Sequence, residues 1–274
     1  MSFRNALFCL GLMGVVLWCK PGFAEEAKNE VKKIQDNSFL IEEAYNQEPG
    51  VIQHIQTFQY MIKDKNWGYT FTQEWPVLGQ THQFSYTIPV THLTDSEKVT
   101  GIGDVALNYR YQAIMKERVA LAPRFSLVLP TGDYKKGLGN DALGFQTNIP
   151  LSVELNDSFV THWNAGLTFT PGSKNAEGAK ADILGLNAGA SIIWLATETF
   201  NLMLEGAWNS SRTFHEDGTT TRENTFFINP GMRYAINFDS GLQIVPGLAF
   251  PIGVGPSKED YGVFAYLSFE HPLF

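Results

Sequence analysis

From residue 51 onward, large apolar residues fall on one parity of the chain and small or polar residues on the other, and period two is the repeat of a strand. Over 66–75, Trp67, Tyr69, Phe71 and Trp75 share one face, broken by Gln73, while Gly68, Thr70, Thr72 and Glu74 share the other. Over 81–92, Phe84, Tyr86, Ile88 and Val90 oppose Thr81, Gln83, Ser85, Thr87 and Thr91. The alternation recurs through 105–111, 119–129, 143–155 and 163–169, then near 182–195, 199–211, 224–237, 240–253 and 261–274. With 51–61 this predicts about twelve strands.

The polar parity decides which solvent those strands face. A water-soluble sandwich meets solvent with dense charge, whereas here the second face is mostly Gly, Ala, Ser, Thr, Asn and Gln. A barrel in lipid inverts the soluble pattern, with apolar side chains toward acyl chains and small polar groups in the lumen. The predicted fold is therefore all-β: a transmembrane antiparallel up-and-down β-barrel over 51–274. Trp67, Trp75, Trp163, Trp194 and Trp208 lie near segment ends, as interfacial girdles require.

Connector lengths alternate as such a barrel demands. Short turns are expected at 76–80, 114–117, 156–157, 196–198 and 237–240, on the periplasmic side. Longer outer loops are expected at 93–101, 130–141, 171–181, 210–223 and 254–260, with 62–66 short for its side. The chain ends on Phe274, which resembles the C-terminal insertion signal read by the barrel-assembly machinery. Counting back in twos from Phe274 gives Pro272, Glu270 and Ser268, whereas the apolar parity is Val263, Ala265, Leu267 and Phe269. A bulge near His271-Pro272 would reconcile the two.

Upstream, Arg4, an apolar run from Ala6 to Trp18 and the small-residue end at Gly22-Phe23-Ala24 predict a secretion signal over 1–24, cleaved near Ala24. The run stops at Cys19-Lys20-Pro21, short of the roughly 20 apolar residues of a spanning helix. Trp18 before Cys19 argues against a lipoprotein anchor. Cleavage removes Cys9 and Cys19, so no disulfide framework or cysteine metal site is expected. It also removes Arg4 and Lys20 and no acid, leaving 18 basic against 28 acidic residues, a net charge of −10. With no basic cluster to release phosphate counterions, nucleic acid is not an expected partner. The expected partners are outer-membrane lipid and a small-molecule solute.

Residues 25–50 form a separate periplasmic N-terminal segment, acidic at Glu25, Glu26 and Glu30 and helix-compatible over 25–35. One reading is a loose tail. The other is a plug formed by Phe39, Leu40, Ile41, Glu42, Glu43 and Tyr45, because the apolar cluster in this stretch is denser than a solvated tail needs.

No nucleophile elbow, zincin helix or Walker loop occurs, so no enzyme and no cofactor are expected. The six histidines, at 54, 82, 92, 162, 215 and 271, include no pair at short-range ligand spacing. The inward parity instead collects charge: Arg110, Arg124 and Arg233 with Glu74, Asp104, Glu154 and Glu205, beside Asn108, Gln146, Asn148, His162 and Asn164. These either brace the wall as an ion-pair ladder or form a constriction selecting solutes by charge and hydrogen bonding. Competing functions are a barrel-borne lipid-modifying enzyme with His92 and Ser96 on its rim, and a plugged structural or adhesive barrel.

Four stretches carry a family resemblance. They are Gly101-Ile102-Gly103-Asp104-Val105, Leu129-Pro130-Thr131-Gly132-Asp133, Thr161-His162-Trp163-Asn164-Ala165-Gly166, and Phe39-Leu40-Ile41-Glu42-Glu43-Ala44-Tyr45-Asn46-Gln47-Glu48. Together they resemble the outer-membrane barrel family named for a role in meta-pathway phenol degradation, across nearly all of the mature chain. The resemblance implies a bacterial outer-membrane barrel passing small compounds, aromatic or hydrophobic ones included. The motifs are structural and carry over no binding residue. Gly101 and Gly103 are expected to permit unusual backbone angles, with Asp104 capping local N–H groups.

Overall fold

The computed structural model describes residues 38–94, 98–215 and 219–273. The expectations for the leader 1–24, the helix-compatible stretch 25–35, Ser96 and Phe274 fall outside the described residues. Twelve antiparallel strands close into a barrel. The first six are β1 (Val51–Met61), β2 (Trp67–Val77), β3 (His82–Leu93), β4 (Val99–Ile102, resumed as Ala106–Tyr111), β5 (Val119–Leu121, resumed as Arg124–Val128) and β6 (Gly144–Asn148, resumed as Leu151–Asn156). The second six are β7 (Phe159–Lys174), β8 (Lys180–Leu195), β9 (Phe200–Phe214), β10 (Thr220–Tyr234), β11 (Gln243–Ala249, resumed as Ile252–Gly253) and β12 (Gly262–Pro272). Each strand pairs with its chain neighbour, and β1 closes on β12 in unbroken register from Val51↔Pro272 to Met61↔Gly262.

Three of the strand interruptions fall at prolines, Pro123 in β5, Pro150 in β6 and Pro251 in β11, where the missing N–H removes a rung. The carbonyls stay in use: Pro123 O accepts from Tyr111 N at 3.0 Å and Pro150 O from Ala122 N at 3.2 Å. The wall therefore remains hydrogen-bonded across each break, which hydrocarbon on its outer side demands.

The barrel is inside-out with respect to a soluble protein. Trp163 on the outward parity is 53% exposed, while the charged Arg233 on the inward parity is 2% exposed. Phe84, Leu107, Phe125, Phe145, Leu167 and Leu204 stand exposed outside, and Gln83, Asn108, Ser126, Ser152, His162 and Asn229 are buried inside. Only a surrounding hydrocarbon phase makes that arrangement favourable, since fully burying such apolar side chains is worth about 1.5–3 kcal/mol each.

Three expectations need correction. The polar stretches 171–181 and 210–223 are not mainly loop, because the β7–β8 ladder runs on to Lys174↔Lys180 and the β9–β10 ladder to Phe214↔Thr220. These strands are 15 or 16 residues long, whereas roughly 9–11 residues cross the hydrocarbon. Polarity marks where strands leave lipid, and the strands continue past that point.

The bulge near His271-Pro272 is absent, and the register through Pro272 keeps Phe264 and Tyr266 inward. Nor do Gly101 and Gly103 adopt positive φ. Their need is space: a Cβ on Gly101 would stand 2.7 Å from Leu138 Cδ1, and one on Gly103 3.1 Å from Pro89 Cγ.

Candidate functional site

Residues 38–48 carry no ladder hydrogen bonds and are nonetheless mostly buried. A buried backbone must find partners, and here the side chains of the barrel wall supply them. Phe39, Leu40 and Ile41 all donate their N–H groups to one oxygen, Glu205 Oε1 on β9, at 2.9, 2.9 and 3.1 Å. Glu42 N donates to Asn164 Oδ1 on β7 at 2.8 Å, and Asn164 Nδ2 returns a bond to Glu42 O at 2.8 Å. Ala44 N donates to Ser152 Oγ on β6 at 2.8 Å, Asn46 N to Gln112 Oε1 at 2.8 Å, and Gln47 N to Gln83 Oε1 on β3 at 2.7 Å. The partners lie on strands around the whole wall, so this segment crosses the lumen.

Two arginines hold the segment by charge. Arg110 on β4 donates to Asn46 Oδ1 at 2.9 Å, Glu43 O at 3.2 Å, Glu43 Oε1 at 3.2 Å and Tyr45 O at 2.6 Å. Arg124 on β5 meets Glu42 with Nε and Nη2, at distances from 2.5 to 3.1 Å, in a fork-on-carboxylate pairing. Arg124 Nη1 also reaches Gln146 Oε1 at 2.9 Å, Asn108 Oδ1 at 3.3 Å and Ser126 Oγ. Burial works to raise the Glu42 carboxyl, but Arg124 and then Arg110 outweigh it and hold it below the usual glutamate range. Burial, with the Glu154 and Glu43 carboxylates beside it, pushes the Tyr45 hydroxyl up to about 12.

The apolar anchor is Phe39. Its ring lies edge-on to Phe264 at 5.6 Å and to Tyr266 at 6.1 Å, and the Arg233 guanidinium sits 5.0 Å from its centroid and 4.3 Å from that of Tyr266. Gly231 makes room for it, since a Cβ there would stand 2.3 Å from Phe39 Cε2. Among the described residues Arg233 Nε and Nη2 have no hydrogen-bond partner, and the rings and the nearby Glu205 carboxylate help to offset its buried charge.

The closest carboxylates to Arg110 and Arg124 among the described residues thus belong to the crossing segment. Arg110 approaches Glu74 only to 3.8 Å. Glu74 instead accepts from Gln83 Nε2 at 2.7 Å. Asn148 donates to Asn164 at 3.1 Å, and His162 shares a hydrogen bond with Ser152 at 2.7 Å, both in the same buried belt.

Asp104 stands apart. Its carboxylate takes Gly132 N at 2.9 Å and Asn140 N and Nδ2 at 2.9 and 3.0 Å, clamping the outer loop between β5 and β6 across the barrel rim. Gln83, Gln112 and Ser152 went unnoticed as site residues in the sequence. Inward parity alone marks Gln83 and Ser152, which carry no charge to draw attention, and Gln112 lies just past the end of β4. Among the described residues no three His, Cys, Asp or Glu come together as a metal centre.

A family described as "Putative MetA-pathway of phenol degradation" matches residues 39–252. The chain belongs to this family. The phenol-degradation family's matched range opens at Phe39, so it takes in the crossing segment as well as most of the wall. Among solved structures, a COG4313 outer membrane channel from Pseudomonas putida F1 superposes with a TM-score of 0.66 at 12% identity, covering 83% of this chain and 97% of that one. The NanC porin gives 0.55 at 7% identity, covering 80% and 100%. At these identities the likeness is one of fold, and the fold is the outer-membrane barrel. No curated protein matches the chain.

In this family member cavities remain in the lumen on two sides of the crossing segment. One, of about 290 Å³, is lined by Thr57, Thr70, Thr72, Thr87 and Asn108 over a floor of Phe39 and Leu40. Thr57 pairs with Thr70 at 2.6 Å and Thr72 with Thr87 at 2.9 Å, a hydroxyl ladder across β1, β2 and β3. Against the opposite wall, cavities of about 320 and 390 Å³ are lined by Asn164, Asn187 and Asn209. Both regions offer hydrogen bonds at the wall beside the apolar side chain of Leu40.

Proposed function

We propose that the protein is an outer-membrane channel for small solutes, closed at rest by residues 38–48 acting as a plug. The observation that carries this reading is the set of three consecutive backbone N–H groups docked on Glu205 inside a closed barrel. A barrel of about eight strands is filled by its own side chains and one of sixteen holds open water, so twelve strands leave space for one extended segment or a small solute. The paired hydroxyl, amide and apolar lining suits small molecules with a polar group on an apolar body. The family's description supports aromatic or hydrophobic compounds among them.

The same proposal takes 1–24 as a leader cleaved near Ala24, 25–50 as periplasmic apart from the plug, and 51–274 as the barrel, delivered by the assembly machinery through Phe274. Glu74, Asn108, Arg110, Arg124, Gln146, Asn148, His162 and Asn164 then form the constriction around the plug, with Glu154, Glu205 and Arg233 as its supports. We read the chain as a channel rather than an enzyme. His92 supports this, since its ring stacks on Trp67 at 5.4 Å and its Nδ1 is bonded to Thr100 Oγ1 at 2.6 Å.

Planar bilayers test the proposal. Folded protein should give small discrete current steps, and Arg124→Ala, which removes the guanidinium paired with the Glu42 carboxylate, should shift the reversal potential toward cation selectivity. Bilayers silent with the intact protein and equally silent after loss of the plug would overturn it.

Acid should open the channel. Glu42 is held below its ordinary value when docked, so it stabilises docking above about pH 4.5, and that stability is lost as pH falls through the docked value. Current recorded at stepped pH should rise on the acidic side of 4.5 and stay flat between 6 and 8.

A further inference from the structure

Barrel closure brings together two histidines that the sequence separates by 217 positions. His54 on β1 and His271 on β12 both stand on the outward parity, near the ends of their strands where the seam of the barrel begins. Their ring centroids lie 5.4 Å apart with an interplanar angle of 21°, and their Nε2 atoms face each other edge to edge at 3.3 Å. Phe71 on β2 backs His54 at 6.1 Å with an interplanar angle of 25°.

The tautomers follow from the neighbours. His271 Nδ1 lies 2.8 Å from Pro272 O, and a carbonyl only accepts, so Nδ1 carries the proton and Nε2 keeps its lone pair. That bond is the backing a metal-binding imidazole commonly has: the far nitrogen donates to a backbone carbonyl while the near one stays free to ligate. Facing this lone pair, His54 Nε2 serves as the donor of the 3.3 Å contact.

We propose that His54 and His271 form a two-histidine site for a divalent transition-metal ion on the outer wall at the β1–β12 seam. The spacing is the argument. Two imidazole nitrogens each about 2.0–2.1 Å from a zinc ion at the tetrahedral angle stand about 3.3–3.4 Å apart, and the two Nε2 atoms are already at 3.3 Å.

Loading asks only that the His54 proton move from Nε2 to Nδ1. Both rings stay neutral and no net proton is released. No three His, Cys, Asp or Glu side chains converge among the described residues, so water completes the coordination and the site stays open. Imidazole donors with open positions favour copper over zinc. The ion would tie the first strand to the last, across the one junction of the wall whose two strands are not joined by a turn.

The test uses the protein purified from membranes without a histidine tag, with Cu²⁺ and Zn²⁺ alone as probes. One Cu²⁺ should bind per chain, with two imidazole nitrogens resolved by electron spin-echo spectroscopy. Calorimetry should show Zn²⁺ binding weakened at least about tenfold in His54→Ala and in His271→Ala, and little further in the double variant. His82→Ala, which removes an outer-wall histidine bonded to Tyr109 at 2.7 Å, should bind as the parent does. His54→Phe keeps an aromatic ring against Phe71 and deletes the donor, so it should lose metal even if the alanine variant folds poorly. Parent-like affinity in His54→Phe and His271→Ala, or a single coordinated nitrogen, would overturn the proposal.

Discussion

Deleting residues 25–48 should convert a nearly closed barrel into an open one, raising single-channel conductance several-fold without loss of the folded, heat-modifiable form on SDS gels. The wall keeps its unbroken β1–β12 closure, whose first rung is Val51↔Pro272, so the deletion ends before the ladder begins. It strips Glu42 and Glu43 from Arg124 and Arg110, leaving both guanidiniums to water that enters the vacated lumen. An open lumen of this width passes hydrated ions, whereas in the intact protein the crossing segment divides the lumen, with cavities of about 290 and 320 Å³ on its two sides. Unchanged conductance in a demonstrably folded deletion variant would show that the segment is not the barrier.

Arg110→Met should release the plug without cutting it. Arg110 is 3% exposed and its four donor contacts bind the segment from Glu43 to Asn46. Methionine fills much of the volume but removes the Arg110 guanidinium from the Glu43 carboxylate, itself 2% exposed. Removing one partner of a buried charge pair costs about 3–5 kcal/mol, enough to move docking from nearly complete to largely lost. A Ser38→Cys reporter checks this, because Ser38 is 1% exposed beside Ser191 Oγ at 3.0 Å. Maleimide labelling should be slow in the parent background and faster by orders of magnitude in Arg110→Met. Equal labelling rates would mean that the wall holds the segment by other contacts.

What the residues disclose in advance depends on which solvent enforces the pattern. Hydrocarbon penalises polar groups facing it, so the alternation through β2, β3 and β7 holds over most positions, with Gln73 and His82 among the exceptions, and strands, parity and inward charges can be read along the chain. Above the membrane that pressure stops, and the upper halves of β9 and β10 read as loop although Arg212↔Arg222 and Thr213↔Thr221 are rungs. The crossing segment was visible as an apolar cluster from Phe39 to Tyr45, but its partners were not. Glu205, Ser152 and Gln83 meet it only because closure places β9, β6 and β3 around one lumen. The outward parity of Phe269 likewise needed no bulge, since the final residues simply follow the register of β1.

The unequal strand lengths have an outcome for anything approaching from the medium. β7 to β10 run 15 or 16 residues while β1 and β2 run 11. At about 3.3 Å per residue and a strand tilt of about 35–45°, the difference is a parapet some 9–14 Å high along one third of the circumference. The mouth is slanted, with its low sill at the first strands, on the side of the threonines rather than of the asparagines.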